Sequence, residues 1–250
     1  MEKLIYNNLR DVIKHTHDLG FIDFVKLEGD VVKAMAEDKS VVVRGKMKNM
    51  IPELEGNKVG LSRISTLKGM LEFPPFQEDD ADVFIKNRSL KDGSTQPRDI
   101  VFTSGMNHKS QYTMTSAINA DAKVKIPKLS NTQFDVSFEP TKKNLKDMAY
   151  FSGVLGQLHK TFSVKMLGGK IDFVIGDDNT MQSTVPMVSG IDGILKTEMI
   201  FPLSSVLATM RLAENSSCEI SFAESRGMQI VIDSGIGEYT YYFPKRKRSA

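Results

Sequence analysis

The sequence predicts an α+β chain made of two repeats of one domain, each a mostly antiparallel sheet with two amphipathic helices on one face. Three observations predict it. The same order of helix and strand patterns occurs twice, the two copies lie roughly 130 to 140 residues apart, and 250 residues suit either one large domain or two small ones. An offset of that size is far longer than a solenoid period, so it marks a duplicated domain and not a repeat array.

In the first copy, apolar residues at helical spacing predict a helix over Leu9–Leu19. Alternation predicts strands at Phe24–Leu27 and Val31–Met35, with Gly29-Asp30 at a hairpin turn. Leu61, Ile64, Leu67 and Leu71 predict a second helix. Strands follow at Asp82–Ile85, Asp99–Gly105 and Gln111–Met114. The second copy repeats the series: a helix over Leu145–Leu155, strands at Phe162–Met166 and Lys170–Ile175 around Gly168-Gly169, and a helix over Leu203–Leu212. Strands at Cys218–Phe222, Met228–Gly235 and Glu238–Phe243 close it. Thr141 suits an N-cap, and Pro202 sits where a helix begins and its missing N–H costs nothing. The domains are therefore 1–122 and 134–250. The connector, 123–133, reads as an extended crossover because of its proline and polar residues, Ile126-Pro127-Lys128-Leu129-Ser130-Asn131.

Composition narrows the function classes. Hydrophobic residues are 40% and charged residues 26%, the balance of an ordinary soluble protein. A single cysteine, Cys218, points to a reducing compartment and reads as a buried structural thiol. No signal peptide pattern and no membrane-span-length apolar run is visible, so the expected location is cytoplasmic, the host cytoplasm if the source is viral. Net charge is only +2, so any polyanion partner requires positive charge segregated onto one surface.

A search for catalytic chemistry finds no motif. His15, His17, His108 and His159 form no zinc-spaced pair, and no phosphate-binding P-loop is present. Glu78-Asp-Asp-Ala-Asp82 lacks the spacing and glycine of an EF-hand and reads as an acidic surface loop. The expectation is a non-enzyme without metal or cofactor.

With the duplication established, the sequence resembles the DNA sliding clamps of the phage and proliferating-cell-nuclear-antigen type over nearly its whole length. The resemblance is most specific in Met148–Val174, in Pro202-Leu-Ser-Ser-Val-Leu-Ala-Thr-Met-Arg-Leu-Ala, and in Ile230–Lys245, where an aromatic strand closes in a proline-containing tail. The first half is more divergent. The near-neutral charge departs from the acidic eukaryotic members and favours the phage-type branch.

The resemblance implies a homotrimeric ring of six domains around duplex DNA. It would act as a polymerase processivity factor, loaded by a separate clamp-loader ATPase. It implies head-to-tail closure through strand edges near Ser110–Ser116 and Met181–Met187. It also implies non-specific phosphate contacts from helices facing the hole. The basic residues on those helices are Arg10, Lys14, Arg63, Lys68, Lys142, Lys143, Lys146 and Arg211. For any one of them the plain alternative is a solvated helix face. Lys142, Lys143 and Lys146 stand apart, because positive charge at a helix N-terminus opposes the macrodipole. A partner-peptide pocket is implied at Ile126, Pro127, Leu129, Met228, Phe243 and Pro244, against the alternative that Met228 and Phe243 are core. The basic tail Lys245-Arg-Lys-Arg248 reads as solvated. Two other classes stay open: a clamp-fold assembly protein that never encircles DNA, and a nucleic-acid enzyme with an unrecognised carboxylate site at residues such as Asp80.

Overall fold

The computed structural model describes residues 3–89, 93–126, 133–177 and 179–246. They fold as two compact units, the first drawn from 3–37, 43–126 and 234–239, the second from 38–42, 133–233 and 240–246.

The first unit contains α1 (Leu4–Lys14), β1 (Phe24–Glu28), β2 (Val31–Met35), β3 (Val42–Met47), β4 (Lys58–Ser62), α2 (Ile64–Glu72), β5 (Asp82–Ser89), β6 (Thr95–Thr103), β7 (Lys109–Thr113) and α3 (Ala117–Lys123). The second contains β8 (Val136–Phe138), α4 (Lys142–Leu155), β9 (Thr161–Leu167), β10 (Lys170–Gly176), β11 (Gln182–Val188), β12 (Met199–Pro202), α5 (Leu203–Leu212), β13 (Ser217–Ala223), β14 (Gly227–Asp233) and β15 (Gly237–Pro244). The duplication holds strand by strand. The first copy orders its strands β4-β1-β2-β3 and β5-β6-β7, and the second orders them β12-β9-β10-β11 and β13-β14-β15, with β8 added beside β13. Each copy has a central hairpin: Val25 pairs with Ala34 in one and Val164 with Phe173 in the other. Gly168 and Gly169 both take positive φ, as a two-residue hairpin turn requires.

Each core follows from alternation. In the first unit Val25, Leu27, Val32, Ala34 and Leu61 are buried, as are the apolar stripe Ile5, Leu9, Val12, Ile13 of α1 and Ile64, Leu67, Leu71 of α2. In the second, Phe162, Phe173, Phe201 and Phe222 form one aromatic cluster, with ring centroids 4.9 to 6.2 Å apart. Burying each such side chain contributes about 2 kcal/mol. A polar network in the first unit ties α1 to the 234–239 segment. The Asp11 carboxylate accepts from Ser234 Oγ at 2.9 Å and Tyr239 OH at 2.8 Å. Beside it, His15 stacks on the Tyr239 ring at 4.1 Å. Burial and the neighbouring Lys14 hold the imidazole at a pKa of about 3.

Several sequence expectations shift. The first helix starts at Leu4 and ends at Lys14, and His17–Leu19 is a separate 3-10 turn. Leu61 and Ser62 end β4 instead of starting a helix, because Arg63 takes a left-handed conformation, φ 53°, that breaks strand from helix. The chain before the connector, read as the end of the first domain, is helical over Ala117–Lys123, with Ala120 packed without exposure over β1 and β4, so the connector's first residue, Lys123, is helical. The proline signal hid an alanine-rich stretch. Strands β3, β4, β8 and β12 were not anticipated. Thr141 does cap α4, accepting from Asn144 N while the Asn144 side chain accepts from Thr141 N.

Candidate nucleic-acid and subunit interfaces

The eight basic side chains of the helices separate into free and neutralised ones. Arg10 and Lys14 lie exposed on α1, one turn apart, opposite the buried stripe. Arg63 is exposed at the start of α2. Lys68 is held by Asp18 at 3.0 Å and Glu72 at 3.6 Å, and the Asp18 carboxylate raises its pKa. Lys143 is paired with Asp147 at 2.5 Å, while Lys142 and Lys146 are exposed on the same ridge of α4.

Helix packing brings Arg211 toward that ridge. Gly156, at the end of α4, faces Leu203, the first residue of α5, and the two helices pack together, so they run antiparallel. At 1.5 Å per residue, Arg211 lies about 12 Å along α5 from Leu203, and Lys146 about 15 Å back along α4 from Gly156. Lys142, Lys146 and Arg211 therefore gather toward one end of the helix pair. An array of exposed cations without base-edge recognition chemistry suits phosphates irrespective of sequence.

A second surface was missed. Tyr150, Val154 and Leu158 are each more than half exposed. On the α4 wheel Tyr150 and Val154 turn about 80° and 120° from Lys142, and Leu158 lies in the turn that follows the helix. Helix α4 packs against β11, and Asn144 donates from Nδ2 to Pro186 O of that strand at 2.8 Å.

Among the described residues, the strand edges expected from the resemblance are edges. β7 ends the sheet β5-β6-β7, and β11 ends the sheet β11-β10-β9-β12. Met114 N donates to Arg98 O, so by alternation Ser110, Tyr112 and Met114 turn their backbone groups toward β6, and Lys109, Gln111 and Thr113 turn theirs away from it. Next along the chain, Thr115 is engaged on that outward side by Gly60, through reciprocal bonds of 2.8 and 2.7 Å. Proline is tolerated in a sheet where its nitrogen faces the open side, which orients Pro186 and, two residues before it, Thr184 outward from β11.

The partner pocket needs correction. Met228 and Phe243 are 2% and 1% exposed, packed in the core of the second unit, and an arriving peptide cannot reach them. Alternation in β14 and β15 buries them with Ile230, Ile232 and Tyr241. Pro244 is exposed and Ile126 half-buried, while Pro127 and Leu129 lie outside the described residues. In the basic tail Lys245 and Arg246 are exposed, and Arg246 N donates to Ile200 O at 3.0 Å; Lys247 and Arg248 lie outside the described residues.

Glu78, Asp79 and Asp80 are exposed, and among the described residues no three His, Cys, Asp or Glu side chains converge as metal ligands. Cys218 is buried, its thiol pushed up to about 12 by burial and the nearby Glu139 and Glu219. Among the described residues no helix is long and apolar enough to cross a membrane.

The duplicated architecture is that of the sliding clamps. Solved structures with this fold include the PCNA2-PCNA3 complex of Sulfolobus tokodaii (TM-score 0.64, 14% identity, 98% of this chain and 96% of that one). PCNA from Thermococcus kodakaraensis matches with TM-score 0.64 and 10% identity over 96% and 97% of the two chains. The proliferating cellular nuclear antigen of Entamoeba histolytica gives 0.66 and 9% over 98% and 96%. No family model and no curated relative matches the sequence. The chain thus has the clamp fold over nearly its whole length, at identities that speak to fold alone.

Proposed function

We propose that the chain is a non-enzymatic DNA polymerase processivity factor: three copies close a ring around duplex DNA, slide on it, and tether a polymerase delivered with the help of a clamp-loader ATPase. The observation that carries this reading is the unpaired strand at one edge of each copy of a clamp-fold domain, β7 in the first and β11 in the second. A head-to-tail ring would join the two and leave neither edge open to aggregation. Exposed Tyr150 and Val154 on α4, the helix that packs against β11, support the joint, since they have apolar area to bury against a second copy. The gathering of Lys142, Lys146 and Arg211 at one end of the α4–α5 pair supports the DNA contact.

Light scattering tests the ring: a mass three times 27.9 kDa is expected. Retention on circular DNA, lost when the circle is cut, tests encirclement. Lys142→Glu with Lys146→Glu should leave the mass unchanged and shorten retention, with the remaining binding less salt-dependent. Unaltered retention in that variant would remove these lysines from the DNA contact. One observation favours the alternative of a clamp-fold assembly protein: net charge is only +2, and Lys68 and Lys143 are already paired with acids. A trimer that never retains circular DNA would establish that alternative.

A further inference from the structure

Resting on the ring reading, we infer that the joint between copies is a short ladder ended by a built-in stop on each edge, and that Asn144 builds one of those stops while starting the helix of the basic cluster. On β7 the outward residues are Lys109, Gln111 and Thr113, and the ladder ends at Thr115, whose N–H and C=O are both taken by Gly60 of the same unit. On β11 it ends at Pro186. This residue has no N–H to offer, and its carbonyl already accepts from Asn144 Nδ2 at 2.8 Å. A second copy can pair only with the backbone between these stops, which leaves room for about two hydrogen-bonded residue pairs. The remainder of the joint is side-chain packing from the α4 flank, Tyr150 and Val154.

Asn144 serves two surfaces at once. Its Oδ1 accepts from Thr141 N at 2.8 Å and closes the capping box that begins α4, where Lys142, Lys143 and Lys146 sit. Its Nδ2 reaches the subunit edge. One planar amide thus fixes how far the basic helix start stands from the strand that receives the next copy. An amide is required, because only Asn or Gln offers an acceptor and a donor in one side chain of this shape. Asn144 acts as a positioning residue: it touches neither DNA nor the partner strand, and sets the distance between the groups that do.

Asn144→Asp separates the two roles. Aspartate keeps the acceptor for Thr141 N and suits the positive end of the helix dipole, but it cannot donate to Pro186 O. The measurement is the trimer dissociation constant by sedimentation, with the unfolding midpoint read at a concentration where both proteins are dissociated. The expected result is a constant raised about tenfold at an unchanged or higher midpoint. A constant within about twofold of wild type overturns the assignment. So does a weaker trimer accompanied by a lower midpoint, which makes Asn144 a helix cap alone. A wild-type chain that stays monomeric at every concentration removes the ring reading itself, and the joint with it. Pro186→Val tests the stop. It restores an outward N–H and leaves the carbonyl to Asn144, so the trimer should tighten about threefold; no change would place the end of the ladder elsewhere.

Discussion

The two copies of the domain agree in their cores and strand orders and part company on one sheet face. In the first unit, Phe24 and Lys26 alternate with the buried Val25 and Leu27, and α3 lies over them. Lys26 pairs with Asp121, Lys123 stands 5.6 Å over the Phe24 ring, and Val124 is buried. In the second unit, Thr161 and Ser163 alternate with Phe162 and Val164 at the same place. There the face is an open cleft of about 400 Å³, bordered also by Glu198, Ile200 and Arg246. The equivalence is close. Gly60 bridges Thr115 two residues past β7, and Ile200 bridges Arg246 two residues past β15. A duplicated fold must preserve what packs inward, since every core position has many partners, whereas an outer face can gain a cover in one copy when the chain that follows supplies one.

The contrast predicts unequal responses, the largest in acid. His15 is fully buried with its pKa near 3, while its unfolded value is near 6.5. Between those values the unfolded chain binds the extra proton, so stability is present above pH 6.5 and falls as pH drops through that window. The loss should approach about 1.4 kcal/mol per pH unit. Hydrogen exchange at pH 5 should show α1 and the 234–239 segment opening before the aromatic core of the second unit, and His15→Gln should flatten the dependence. Equal loosening of both units would break the contrast.

A smaller effect is expected at the bridge. A Cβ at Gly60 would stand 2.5 Å from Phe24 Cζ and 3.1 Å from Thr115 Cβ, so Gly60→Val should cost about 2 kcal/mol in urea denaturation. Ile200→Val, at the matching position over the open cleft, should cost about 0.5 kcal/mol, at the low end for that exchange. Similar costs would mean that the two faces are equally constrained.

A further acid effect concerns the charged cluster under α3. Hydrogen bonds from Lys33 and Lys58 hold Glu28 at a pKa of about 2, below its ordinary 4.5. A lowered carboxylate pKa stabilises above pH 4.5, and that contribution is lost as pH falls from 4.5 toward 2. Allowing for solvent screening it amounts to about 1 kcal/mol. Glu28→Gln should remove this part of the acid slope and leave the steeper part due to His15.

Strong period and local chemistry were legible in the sequence. Leu203–Leu212 is a helix at its expected bounds, Val31–Met35 a strand at its own, and Thr141 a cap, because each is decided by residues within one turn or one hairpin. Short strands such as Met199–Pro202 were not legible, since four residues carry too little alternation to stand out. The candidate site was legible as a list of cations and not as a surface: charge can be read from composition, but which lysine is neutralised depends on an acid brought near by folding, as Asp18 is to Lys68.

By itself, then, the sequence determined the duplication, the helix and strand periods, the caps and turns, and the segregation of Lys142, Lys143 and Lys146 at one helix start, all set by neighbours along the chain. Only the tertiary structure decided that Met228 and Phe243 are core, that Tyr150 and Val154 face outward, that α3 covers β1 and β4 in the first copy, and that Asn144 reaches Pro186, 42 residues away. The physical reason is common to all four. Burial and hydrogen-bond partnership are properties of what lies across the gap between elements, and residues far apart in the chain supply it.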